Sequence, residues 1–170
     1  MKKLFVLFFC LLAAGTSFAQ PGTLKFSLWD QISWATPANT QVIQGLDLGV
    51  GSHTDEVTGL QFDLVMAQTR YELRGASFAW LVNLAEQGTG AQMASITKST
   101  HFTGAQFGLV NLADRMTGAQ LGFFNQAEYV SGLQFGFVNY AKNIRGLQIG
   151  LLNVAENGWF PAMVLVNGQF

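Results

Sequence analysis

Between residues 104 and 153 apolar positions alternate with small or polar ones on a fixed period. The phrases GAQFGLVNLADRMT, GAQLGFFNQAEYVS, GLQFGFVNYAKNIR and GLQIGLLNVAENG begin at Gly104, Gly118, Gly132 and Gly146, 14 residues apart. Counted from each first glycine, positions 2, 4 and 6 are apolar while 3 and 5 are glutamine and glycine, as in Leu133, Gln134, Phe135, Gly136 and Phe137. A period of two puts successive side chains on opposite faces of a strand, so positions 1 to 8 predict a strand and the polar remainder a turn. The parity places Phe107, Phe135 and Ile149 on one face and Gln106, Gln134 and Gln148 on the other. Position 8 is Asn111, Asn125, Asn139 and Asn153, and position 13 is again apolar in Met116, Val130 and Ile144. Weaker copies extend the series back to Gly90, Gly75, Gly59 and Gly45, which makes eight, and the extra residues of the longer copies are assigned to the polar half.

The flanks complete an all-β chain. Residues 23–34 read as a first strand with Leu24, Phe26 and Leu28 on one side, residues 36–40 as a loop, and residues 161–170 as a last strand. One domain is expected, divided into residues 1–19, residues 20–44 (first strand and loop), residues 45–158 (repeats) and residues 159–170 (closing strand).

Two architectures use the period. In the first, each repeat is one strand of an antiparallel up-and-down meander. Position 4 then pairs with position 4, and 2 with 6, so that Phe135 faces Leu121 and Ile149 while Leu133 lies near Leu151. Eight repeats with a first and a last strand make ten strands, an even number that suits a closed barrel, and a strand running from position 13 to the next position 9 has 11 residues, enough to cross a bilayer. Residues 162–170 would then close the sheet against Leu24 to Trp29. In the second, each repeat is one coil of a parallel β-solenoid, identical residues stack, and the asparagines form a ladder. Fourteen residues make a tight coil for Phe or Leu at three inward positions. The near-palindromic phrase and the even count favour the ten-stranded barrel, and the solenoid is the alternative.

Composition narrows the function. Met1-Lys2-Lys3, an apolar run and Ser17-Phe18-Ala19 have the parts of a secretory leader cleaved after residue 19. Without residues 1–19 the chain holds no cysteine and carries a formal charge of −3, with no basic stripe for nucleic acid. Charged residues are 11% of the chain, against roughly 25% in ordinary soluble domains. Part of the surface is therefore expected to face something other than water. Each of the four clear copies offers the same Gly, Gln, Gly and Asn, which argues against an enzyme, since catalysis needs an asymmetric constellation.

The phrases GLQFGFVN and GLQIGLLN, the opening SLWDQISW with GLDLGVGS, and the close FPAMVLVNGQF resemble a family of exported bacterial surface-repeat proteins. The terminal Phe170, preceded at alternate positions by Gly168, Val166 and Val164, is similar to the end of outer-membrane β-barrels, with glycine at 168 where those ends carry an aromatic. The resemblance implies an envelope address, the outer membrane or cell surface, and for Phe170 a role as an assembly signal read by the barrel assembly machinery. It supplies no activity. The function expected is a non-enzymatic envelope protein, an outer-membrane barrel with a structural or interaction role. The alternative is a secreted solenoid that binds a carbohydrate or protein partner on a flat ladder face.

Candidate chemistry is sparse. His53, Asp55 and Glu56, with Asp47 nearby, form the densest polar cluster, and it reads as a solvated turn before it reads as a metal site. His101 has only Thr and Ser around it. The spacing of Gly104 and Gly108, repeated in later copies, lacks the Lys-Ser/Thr of a phosphate loop. The residues expected to matter are structural: Gly104, Gly118, Gly132 and Gly146, Gln106, Gln120, Gln134 and Gln148, and the four asparagines. No catalytic, cofactor or metal residue is assigned. Trp29, Trp34, Trp80 and Trp159 stand near strand ends, where an interface girdle and core packing would both place them.

Overall fold

The computed structural model describes residues 22–29, 32–36 and 41–170; the expected leader, residues 30–31 of the expected first strand and residues 37–40 of the expected loop lie outside them. The described chain is all-β. It forms β1 (Gly22–Trp29), β2 (Ile32–Thr36), β3 (Val42–Ala79), β4 (Val82–Met93), β5 (Ile96–Ala155) and β6 (Ala162–Gln169). These make one mixed sheet in the order β2-β1-β3-β4-β5-β6, and among the described residues it is not closed.

The lengths of β3 and β5, 38 and 60 residues, show that the strands wind. In a straight strand, residues fourteen apart would stand about 46 Å from one another. Within β5, however, Asn111 Nδ2 donates to Asn125 Oδ1 at 2.8 Å and Gln120 Nε2 donates to Gln106 Oε1 at 2.9 Å. The chain must therefore return over itself once per repeat. The pairing between repeats is parallel: Gly75 pairs with Gly90, Gly90 with Gly104, and Gln92 with Gln106. Later coils keep this order, since Gly146 abuts Gly132 and Gly150 abuts Gly136, which sets Leu133 level with Leu147 instead of Leu151.

The antiparallel meander and its closed ten-stranded barrel are thus overturned, and the stacking is that of the solenoid alternative. The amides explain the preference. An antiparallel register sets Gln at position 3 against Gly at position 5, whereas a parallel one lets each amide bond its own copy.

Antiparallel pairing is confined to the two ends. The expected first strand is a hairpin, with β1 and β2 paired from Leu24↔Thr36 to Trp29↔Ile32. The last strand, β6, pairs with the final coil from Gly146↔Gln169 to Val154↔Ala162. It does not meet β1, which pairs with β3 at the other end of the sheet, so the expected closure against Leu24 to Trp29 is corrected. The free edge nearest to β6 is the coil it has just left.

Inside and outside are also reversed from the expectation for a coil. The inward positions are 3, 5, 8, 10 and 13. Position 13 supplies Phe102, Met116, Val130 and Ile144, and position 10 supplies Ala113, Ala127, Ala141 and Ala155, which form the main apolar cluster. Gln106, Gln120, Gln134 and Gln148, with Asn111, Asn125, Asn139 and Asn153, are fully buried. The strand parity is as expected, but the face carrying Phe135 and Phe137 points outward. A coil closed in 14 residues has room for alanine, amides and one medium side chain per turn, which sends the larger ones out.

All eight copy-initial glycines, from Gly45 to Gly146, have φ between +121° and +147°, a region L side chains rarely adopt. The weak copies therefore start at places equivalent to the strong ones. Of the extra residues, one falls in the polar half, where the register shifts between Thr69 and Glu72. The fifteenth residue of the Gly75 copy sits elsewhere, at the Trp80–Leu81 corner where the chain leaves the sheet between β3 and β4.

Candidate functional site

Two rows of amides run along the stack, the first through most of its coils and the second through the last four. In the first, Gln148, Gln134, Gln120 and Gln106 each donate to the glutamine of the coil before at 2.8–2.9 Å, and Gln106 donates to Gln92. The same direction continues through Gln92 to Asn83, Asn83 to Ser77, Ser77 to Gln61, and Gln61 to the Asp47 carboxylate. In the second row, Asn111, Asn125 and Asn139 each donate to the next asparagine at 2.8 Å, toward the C-terminus. Burying an amide is tolerable only where its hydrogen bonds are replaced, and each row replaces them from its own repeat.

The glutamine row ends on a buried charged group. Asp47 Oδ2 accepts from Thr54 Oγ1 at 2.6 Å, and Thr54 Oγ1 accepts from the buried Lys25 Nζ at 2.7 Å. Lys25 also donates to Gln41 Oε1 at 3.3 Å and to the His53 carbonyl. Asp63 is buried beside them, and its Oδ2 accepts from Ser52 Oγ at 2.7 Å. Burial, with the Asp47 charge adding to it, pushes the Asp63 carboxyl up from 3.8 to about 7, against the opposing Ser52 hydrogen bond and Lys25 charge.

That shift has a sign. Asp63 holds its proton in the folded chain at pH values where the unfolded chain has lost it. Its contribution to stability is therefore complete below 3.8 and is lost as pH rises through about 7. Stability should fall by on the order of a few kcal/mol over that window. Asp63→Asn should flatten the fall and raise the thermal midpoint at about pH 8 while changing little at about pH 4. A wild-type midpoint that rises with pH over the same interval would contradict the assignment.

The expected cluster of His53, Asp55, Glu56 and Asp47 does not come together as a ligand set. Asp47 points into the core, Asp55 lies 3.7 Å from Arg70, and Glu56 is exposed. No metal-binding group of three or more His, Cys, Asp or Glu occurs among the described residues. His101 is exposed. The buried Lys25, Asp47 and Asp63 network was not anticipated, although a signal existed: Asp47 and Asp63 occupy inward positions 3 and 5, where the last four copies have Gln and Gly. Phe170 lies beyond β6, exposed, with its ring 5.9 Å from that of Trp159. The four tryptophans are all exposed, so none is a core residue.

With its amides inside, the stack offers outward the chemistry that a core normally hides. Positions 5 and 8 point in and positions 6 and 7 point out, so the chain turns a corner there and its apolar side chains form a ridge. Leu64, Trp80, Leu109, Phe123, Phe137 and Leu151 lie along it, each about half exposed or more, with Ser95 interrupting the row between Trp80 and Leu109. Neighbouring rings stack, Phe123 on Phe137 at 4.8 Å and Phe62 on Phe78 at 4.7 Å. The opposite corner, positions 11 to 14, carries exposed charges of both signs: Asp114, Arg115, Glu128, Lys142, Arg145 and Glu156. Beside the first coil, Phe26, Leu28, Ile32, Trp34, Leu48 and Val50 line an apolar groove of about 510 Å³.

The fold and surface define a repeat protein wound around two amide rows, with its apolar and charged side chains segregated to different corners. Compared with family models, curated protein sequences and solved structures, the chain matches none of them.

Proposed function

We propose that this is an exported, non-enzymatic repeat protein of the bacterial cell envelope, a scaffold that presents an apolar surface to a partner. The observation that carries the reading is the segregated exterior: exposed apolar patches beyond a few hundred Å² mark interaction sites. The repetition supports a scaffold over an enzyme, because the later coils offer the same side chains again and again, and the asymmetric polar network around Lys25 and Asp47 is buried. The leader-like residues 1–19 and the resemblance to exported surface-repeat proteins support the envelope address. The flat ladder face of the secreted-solenoid alternative is not retained, since the Gln and Asn rows are inside.

Cell fractionation tests the reading. The protein should appear in the envelope fraction and dissolve in mild detergent, and it should run at the same position on a gel whether or not it is boiled. Recovery in the cytoplasm would reject the address. A band that shifts on boiling would reject the open coil and restore a closed barrel.

A further inference from the structure

We propose that the ridge at positions 6 and 7 is a lipid-docking edge, which lies in the hydrocarbon boundary of one bilayer leaflet while the charged corner stays in water. The inference rests on the envelope reading above and names its partner. Across all eight copies, positions 2, 4, 6 and 7 contain no charged residue. Eight coils at the spacing of neighbouring strands make this surface about 38 Å long. The charged residues of positions 11 to 14 are of mixed sign, with no collar of basic residues, so attraction comes from apolar contact and not from anionic headgroups.

Shape selects lipid over a second copy. One side of the coil presents only the rows at positions 2 and 4, about 13 Å by 38 Å or roughly 500 Å², short of the roughly 800 Å² per partner of a stable protein interface. The rest of the apolar surface continues around the corner, where Trp80 and Leu109 are 68% and 65% exposed. A flat partner cannot cover both sides of a convex edge, whereas a fluid one can. The backbone does not oppose entry, because each coil is hydrogen-bonded to its neighbours and brings few unpaired polar groups into the apolar layer.

The test is flotation of the chain without the leader-like residues 1–19, which would bind lipid on their own, with vesicles of zwitterionic phosphatidylcholine. The protein should float with them, and high salt should leave the bound fraction unchanged. The triple variant Leu109→Ser, Phe123→Ser, Phe137→Ser should bind at least about tenfold more weakly, and Lys142→Ser should bind as wild type, with circular dichroism unchanged in both. A nitroxide at Phe123→Cys, in the chain without residues 1–19, which holds no other cysteine, should become accessible to oxygen and shielded from aqueous nickel on vesicle addition, and one at Glu128→Cys should not. The proposal is overturned if wild type stays at the bottom of the gradient or if flotation requires anionic lipid and disappears in salt. It is equally overturned if the two nitroxides respond alike, or if the chain sediments as a dimer that shields position 123 without lipid. Any of these in a protein still recovered from the envelope would remove the lipid partner and leave the envelope reading standing.

Discussion

Gly132→Ala should cost more than about 3 kcal/mol of stability, although it adds one methyl group. Gly132 has φ +138°, where an L side chain is strained by about 1–3 kcal/mol. A Cβ there would also run into the carbonyl of Gly118 in the coil below. That neighbour is backbone held in the sheet, so it cannot swing aside as a side chain would. The glycine row is thus a contact surface, coil against coil, as well as a set of turns. Gly51→Ala is the informative control. Its Cβ would meet the Trp29 ring at 3.0 Å, an exposed side chain that can move, and the cost should stay below about 1 kcal/mol. Urea denaturation of the two variants measures the difference, and equal losses would contradict the packing described.

Asn125→Ala should be nearly as damaging, at about 2–4 kcal/mol. Asn125 Oδ1 accepts from Asn111, while its Nδ2 donates to Asn139 at 2.8 Å and to the Phe135 carbonyl at 3.0 Å. Alanine leaves partners on both adjacent coils unsatisfied in a space closed to solvent. Asn153→Ala, at the end of the row, removes the acceptor of one asparagine and one bond to the Gly150 carbonyl, and should cost less. Denaturant midpoints for the two variants give the comparison, and a larger loss at Asn153 would count against a continuous row.

Much of this molecule is legible in the sequence, and what is not has physical causes. The eight repeat starts are readable because each needs a glycine where the chain turns with positive φ. The alternation of Gln134 with Phe135 is readable because strand parity has a period of two. Direction is not: a phrase that reads acceptably in both senses suits a hairpin and a coil alike, and only the bonds between equivalent amides decide it. Nor does parity say which face is inside, since that depends on the width of the closed coil. The hairpin between β1 and β2 escapes for another reason. TLKFSLWDQISWAT has neither glycine nor proline to mark a reversal. The buried Asp63 was legible in principle, as an acid at an inward position, once the inward face was known.

The two amide rows run in opposite senses. Glutamine side chains donate toward the N-terminus and asparagine side chains toward the C-terminus. Each amide carries a dipole, and in an α-helix such dipoles align into roughly half a unit charge at each end. In the last four coils, which hold both columns, the two oppose one another, so their fields largely cancel and adding such a coil builds no end charge. Electrostatics therefore sets no preferred number of these coils, and gaining or losing one whole 14-residue unit among them leaves the polarity of both ends as it was.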